Sequence, residues 1–247
     1  MIPKIVHYCW FGKGEKKFLV QKCIESWKKY PPDYEIIEWN EENFDINMSI
    51  FAREAYEVRK WAFVSDYARL YALSKFGGIY LDTDVEILKN FDCLLNNDFF
   101  LGYESNDYLG TAVIGSNIGN KYINELLICY NEKKFILENG KLNITPNPVI
   151  FTKILNENGI IIDGKQKKMN DIMLYNQIMF YPNNIGMILN KKSDKTFAVH
   201  HCEQTWRDDG KRDFSKFRYR LRRYFVKKIQ NIIGTKTLMK FKHFIFK

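Results

Sequence analysis

Hydrophobic and polar positions along the 247-residue chain fall into two alternating periods. The opening "IPKIVHYCWFG" is a short apolar run delivered to a glycine loop, which predicts a buried strand. Next, "KKFLVQKCIESWKKYPPDYEIIEWN" predicts a helix, a Pro-Pro stop and a second strand ending at Trp39 and Asn40. Residues 51–76 contain no glycine or proline and repeat apolar positions at helical spacing, so they predict helix, with Gly77 and Gly78 as its C-terminal cap. A strand over residues 79–81 follows directly. "FDCLLNNDFFLGYES" and "GTAVIGSN" continue the alternation, and residues 120–180 read as mostly helical, interrupted at "TPNPVI". Strands alternating with helices predict an α/β fold around a mainly parallel sheet.

Composition narrows the class. With 46% hydrophobic and 16% aromatic residues, the chain can bury one sizeable core. No apolar run approaches the roughly 18 residues of a membrane-spanning helix, and the apolar start is broken by His7, so neither a signal peptide nor an anchor is expected. Five cysteines, at 9, 23, 93, 129 and 202, are widely spaced with no C-x-x-C pair, which fits a reducing cytoplasm.

The net charge of +9 is unevenly placed. Residues 207–247 carry 14 Lys and Arg against 3 Asp, a net of +11, which leaves −2 for residues 1–206. Two units are therefore expected: a nearly neutral domain over 1–206 and a basic helical tail over 207–247. In that tail Phe214, Phe217, Leu221, Phe225, Ile229 and Ile232 step by three or four with arginines and lysines between them. Such a stripe can lie on an anionic membrane surface or dock on its own domain. No recognised nucleic-acid-binding module accompanies it, so no nucleic-acid partner is expected.

The chemistry concentrates in "GGIYLDTDVE". Ligands of a parallel sheet sit beyond the carboxyl ends of its strands, and Asp82 and Asp84 fall there if residues 79–81 form the strand. On an extended chain, residues two apart point to one side, so both carboxylates could meet a hard divalent cation, Mg²⁺ or Mn²⁺. A lone D-x-D is more often a solvated acidic turn. The helix before it changes that balance, because Asp66 and Arg69 share a face at i and i+3 and lie within two turns of the Gly-Gly cap.

"WAFVSDYARLYALSKFGGIYLDTDVEILKNFD" resembles the D-x-D block of glycosyltransferase family 32, which includes initiating mannosyltransferases and bacterial capsule and lipooligosaccharide enzymes, and is distantly related to the clostridial glucosylating toxins. "IPKIVHYCWFG", "EIIEWNEENFD", "LGYESNDYLGTAVIGS" and "FAVHHCEQTW" extend the resemblance over most of residues 1–206. It implies the GT-A fold and a metal-dependent, retaining sugar transfer from a nucleotide diphosphate sugar, UDP by default and GDP in the mannosyltransferase branch. Trp10 would then stack on the base, Asn40 contact the nucleoside, and Asp66 and Arg69 hold the donor sugar or diphosphate beside Tyr80. Asp82 would meet ribose and sugar, and Asp84 the metal.

In the last block the family pattern of His-His, small residues and Ser-Trp becomes His200, His201, Cys202, Glu203, Gln204, Thr205 and Trp206. Thr205 could replace the serine as a phosphate donor with Trp206 in place, and His201 is favoured over His200 or Glu203 to complete the metal shell. Glu104 and Asp107 are candidates beside the acceptor, a glycan or lipid-linked glycan. A bacterial enzyme at the inner face of the cell membrane is the expected setting. Two rivals share parts of the pattern: a haloacid dehalogenase-type phosphatase, because "YLDTDV" matches its D-x-D string, and a non-enzymatic membrane adaptor.

Overall fold

The first apolar run folds as β1 (Ile5–Cys9) in a computed structural model that describes residues 1–169, 171–182 and 193–202. Helix α1 (Phe18–Lys29) buries Val20, Cys23 and Trp27, one face at helical spacing. Strand β2 (Glu35–Trp39) returns parallel to β1. The helical stretch expected over 51–76 is two helices, α2 (Ile50–Glu57) and α3 (Trp61–Phe76). No glycine marks the break; Arg59 itself takes a left-handed φ of 58°, and the Lys60 amide bonds the Ala55 carbonyl.

After Gly77 come β3 (Gly78–Leu81) and β4 (Val85–Ile87). Next are β5 (Phe99–Tyr103), β6 (Leu109–Ser116), α4 (Lys121–Asn131) and α5 (Asn147–Glu157). Strands β7 (Lys167–Met169), β8 (Ile172–Tyr175) and β9 (Ala198–His200) complete the described elements. The helical expectation for 120–180 therefore fails after residue 157. There the run "IMLY" pairs with β5, where a short, doubly covered strand has the same apolar signature as a helix segment.

The main sheet has the order β2-β1-β3-β6-β5-β8-β7, and β4 and β9 form a separate two-stranded ribbon. Strands β1, β2, β3, β5 and β8 run one way; β6 and β7 oppose them. The α/β class and mainly parallel sheet expected from the sequence are what the structure shows. Alternation along β3 divides the core between two faces. Tyr80 joins Ala68, Leu73, Ile123 and Phe151 of α3, α4 and α5. Ile79 and Leu81 join Trp27 of α1, the ribbon residues Val85, Ile87 and Ala198, and Phe180. The five cysteines are free, and no described helix is long and apolar enough to cross a membrane. Residues 207–247, including the expected basic helix, lie outside the described residues.

His7 ties β1, β2 and the α3–β3 turn together. It is fully buried; the Trp39 indole N–H donates to its Nδ1 at 3.1 Å, and its Nε2 lies 2.8 Å from the Gly77 carbonyl. Indole only donates and a carbonyl only accepts, so these bonds require the neutral tautomer protonated on Nε2. Gly78 lets the backbones meet here: a Cβ would lie 2.7 Å from the Ile5 carbonyl oxygen, at a φ of 94°.

Burial pulls the His7 pKa down from 6.5 to about 4, with the Gly77 bond opposing. The unfolded chain takes up a proton below pH 6.5 that the folded state refuses until about pH 4, so this contribution is complete above pH 6.5 and declines as pH falls between those values. We predict that chemical denaturation from pH 7.5 to 4 will show a loss of roughly 3 kcal/mol from this group. In His7→Gln that part of the pH dependence should be absent; an unchanged slope would remove His7 from the account.

Candidate active site

Trp10, Asn40 and Asp82 each follow the last residue of β1, β2 and β3, so they share the carboxyl edge of three parallel neighbours. At Asp82 the extended chain stops. The Asp82 amide donates to the Ala112 carbonyl at 2.9 Å, and the Val85 amide closes a turn on the Asp82 carbonyl at 3.0 Å. The two carboxylates thus converge through a turn rather than through strand alternation, the geometry expected from the sequence. Val85 opens β4 opposite His200 of β9. That register sets His200 Nε2 3.2 Å from Asp84 Oδ1, and the His201 amide bonds the Asp84 carbonyl at 3.0 Å.

One ligand atom from each of Asp82, Asp84 and His200 lies within 4.8 Å of the others. The neighbouring His201 does not join them. Its Nε2 bonds Glu86 Oε2 at 3.0 Å, and Glu86 also pairs with Lys22. The histidine favoured from the sequence therefore faces a surface ion pair, and its neighbour faces the aspartates. Burial opposes a charge on His200, but Asp84 beside it raises its pKa well above 6.5. A divalent cation suits this donor set: it would take the place of that proton, with two carboxylates and a neutral imidazole as ligands. Imidazole among the donors favours Mn²⁺ over Mg²⁺.

Arg69 is built into the protein beside this cluster. Its guanidinium meets Asp66 Oδ1 at 2.9 Å, Asp82 Oδ1 at 3.3 Å, the Thr111 carbonyl at 2.8 Å and the Ser65 carbonyl at 3.2 Å. It also lies 4.4 Å from the Tyr80 ring centroid, and the Tyr80 hydroxyl donates to Asp82 Oδ1 at 3.1 Å. The Asp66–Arg69 pair has side-chain exposures of only 11% and 5%, so it is not a solvated helix-surface bridge. Burial pushes Asp66 up to about 7 against the pull of Arg69. For Arg69 burial works against the charge, and Asp82, Tyr80 and Asp66 more than offset it, so its pKa is raised and it stays charged.

The other expected residues are more dispersed. Trp10 is half-buried, its indole N–H donating to the Gly14 carbonyl at 2.7 Å with Lys16 over the ring. Asn40 bonds Glu38 and the Glu42 amide within its own turn. Glu104 directly follows β5, where the Gln177 side chain donates to its carbonyl at 2.6 Å, and Asp107 is exposed in the loop beyond it. Glu203, Thr205 and Trp206 lie outside the described residues.

Two polar residues of the network were not singled out from the sequence. Asn147 donates to Asp66 Oδ1 at 3.0 Å and accepts from the Tyr130 hydroxyl at 2.9 Å. Its one sequence signal was an amide beside proline at a helix start, in the segment read as a break. Thr111 takes part through its carbonyl, which carries no side-chain signal.

Residues 18–101 match the family model described as the glycosyltransferase sugar-binding region containing the DXD motif. This stretch is a DXD-type sugar-binding region. It contains Asn40, Asp66, Arg69, Tyr80, Asp82 and Asp84, whereas Trp10, Glu104 and His200 lie outside it. Among similar proteins, inositol phosphoceramide mannosyltransferase 3 of Schizosaccharomyces pombe is 29% identical over 133 residues, 49% of this chain and 35% of that protein. Inositol phosphoceramide mannosyltransferase 1 of the same yeast is 27% identical over 129 residues, 45% of this chain and 39% of that protein. The chain thus spans under two fifths of the length of these curated relatives. Among solved structures, the PaToxG glycosyltransferase has a TM-score of 0.47 at 19% identity, covering 64% of this chain and 70% of that one. The galactosyltransferase LgtC, in complex with donor and acceptor sugar analogues, has 0.42 at 14%, covering 87% and 94%.

Within the sugar-binding region, losing Arg69 removes the cation shared by Asp66 and Asp82 and leaves the Thr111 and Ser65 carbonyls without this donor. Arg69→Leu should cost about 3–5 kcal/mol in urea denaturation, as removal of one partner from a buried pair does. Asp66→Asn should cost less, because burial already brings this carboxyl close to its neutral form at pH 7. Equal losses would show that the pair is not coupled in this way.

Proposed function

We propose that the protein is a metal-dependent, retaining glycosyltransferase of the GT-A class. The observation that carries this reading is the convergence of Asp82, Asp84 and His200 at the carboxyl edge of β3, with Arg69 fixed against Asp82. The substrate would be a nucleotide diphosphate sugar, with a hexose or related sugar moved to a polysaccharide or oligosaccharide acceptor on a lipid carrier. UDP is the first choice of nucleotide. The yeast relatives are mannosyltransferases by name, which keeps GDP-mannose as the principal alternative.

The chemistry suits the parts. Leaving-group departure gathers negative charge on the diphosphate while the sugar becomes oxocarbenium-like, and a divalent cation held by Asp82, Asp84 and His200 would stabilise that charge. Arg69 holds Asp82 in place, and Tyr80 adds a hydrogen bond to the same oxygen. Trp10 on the neighbouring strand end offers its face to the base. Glu104, directly after β5 on the same edge, is the candidate group beside the acceptor, and Asp107 follows it in the loop. Association with the inner face of a bacterial membrane through residues 207–247, and a product in capsule or lipooligosaccharide, belong to the same proposal.

The phosphatase reading has less support. It makes the first Asp of the motif a free nucleophile, whereas Asp82 Oδ1 already meets Arg69 and the Tyr80 hydroxyl. An adaptor would have no need of this cluster.

Thermal denaturation with UDP, GDP, CDP and ADP sugars, each with and without Mn²⁺, tests the proposal. One nucleotide class should raise the melting temperature only when metal is present, and Asp84→Ala should abolish both the shift and metal-dependent donor turnover. Full turnover by Asp84→Ala would overturn it.

A further inference from the structure

The site depends on an irregularity in β6 that the function proposed above does not explain. Against β5, Leu101 pairs with Ile114, but the next residue, Gly102, pairs with Gly110. Residues 111, 112 and 113 are extra on the β6 side and form a bulge larger than the usual single-residue insertion. Its carbonyls face the candidate site. That of Thr111 accepts from Arg69, and that of Ala112 accepts from the Asp82 amide. The amides of Ala112 and Val113 are directed elsewhere.

Both amides meet one side chain. The Tyr181 hydroxyl accepts from the Ala112 N–H at 3.0 Å and from the Val113 N–H at 3.3 Å. Tyr181 is 1% exposed, and its ring stands edge-on to His200 with centroids 5.6 Å apart at 88°. The strand that carries His200 is tied to the same segment, because the His200 amide bonds the Phe180 carbonyl at 3.0 Å.

Glycines make room for this arrangement. A Cβ on Gly110 would lie 2.2 Å from Tyr181 Cζ and 2.4 Å from its hydroxyl oxygen. One on Gly102 would lie 2.6 Å from Phe180 Cδ2 and 3.3 Å from Tyr181. The two glycines pair across the ladder, so together they open the slot that Phe180 and Tyr181 fill. Burial first, then the nearby charges of Glu104 and Asp82, raise the phenol pKa well above 10, so the hydroxyl stays protonated.

We propose that Tyr181 is a positioning residue for the transfer site: its hydroxyl fixes the bulge at residues 111–113, and hence the Asp82 turn, while its ring holds His200. Asp82 and His200 come from segments more than a hundred residues apart, and Tyr181 is in contact with the support of each. The inference deepens the proposed function and rests on it for the metal.

The test uses the full chain with Mn²⁺ alone, its affinity read by electron paramagnetic resonance, and amide hydrogen exchange at Ala112 and Val113. Tyr181→Phe keeps the ring and removes the acceptor. It should weaken Mn²⁺ binding about 10- to 100-fold, the usual effect of losing support behind a metal ligand, and speed exchange at both amides. Gly110→Ala, which disturbs the same contact from the other side, should do likewise and covers the case in which Tyr181→Phe does not fold. Phe99→Leu, in the core at the amino end of β5, should lower the melting temperature and leave Mn²⁺ affinity unchanged. Wild-type affinity in Tyr181→Phe would overturn the proposal. If the wild-type protein binds no Mn²⁺, the metal-dependent reading fails instead, and the exchange rates alone decide the positioning role: faster exchange in Tyr181→Phe sustains it, and unchanged exchange ends it.

Discussion

The architecture of the site turns on one buried guanidinium. Arg69 is carried by α3 and reaches the end of β3, the β6 bulge and the Asp66 carboxylate at once. A buried ion pair adds little net stability, because desolvation offsets most of its attraction. What it enforces is geometry. With Asp66 and Asp82 drawn to the same cation, the helix cannot slide along the sheet without stranding a charge. Asn147 extends the constraint to α5 by bonding Asp66, and Tyr130 extends it to α4 by bonding Asn147. Three helices are therefore indexed to the strand that delivers the acidic pair.

The opposite face is organised from the other end of the chain. Strand β9 pairs with β4 immediately after the acidic turn, and that register brings His200 to Asp84. Trp27 of α1 fixes the ribbon from outside through its indole N–H, which donates to the Val85 carbonyl at 2.7 Å. The candidate metal site is thus a seam. Asp82 follows the last residue of the central strand β3 and bonds β6, Asp84 stands just before the ribbon strand β4, and His200 belongs to the ribbon itself.

Local sequence pattern made the sheet edge legible. Strands β1, β2 and β3 announced themselves as apolar runs ending at glycine, asparagine or aspartate, and Asp66 with Arg69 shared a face by helical spacing alone. Long-range pairing was not legible. Nothing in "AVHH" says which histidine turns inward, since that follows from the pairing of Val85 with His200. Residues 51–76 lack any breaker, yet the chain bends at Arg59 so that α2 can pack on α3. Strand β8 was hidden for the same reason: a four-residue apolar run has no period of its own, and only β5 beside it makes a strand of it. The resemblance to family 32 supplied roles that such patterns do not, and the region over 18–101 is where it is met by a family model.

Charge at the site argues for the order in which a donor could bind. Arg69 is matched by Asp66 and Asp82 within the protein, so its charge is not left over for a diphosphate. Asp84 is balanced by His200 only while that imidazole keeps its proton. An anionic donor approaching the bare cluster would therefore meet carboxylates whose countercharges are already engaged. With Asp82, Asp84 and a neutral His200 as its ligands, a divalent cation would change the sign of the problem by supplying positive charge for the phosphates. Under the proposed function the cation must then arrive before the nucleotide sugar or together with it, and the buried Arg69 serves catalysis by holding Asp82 for the metal rather than by gripping the donor itself.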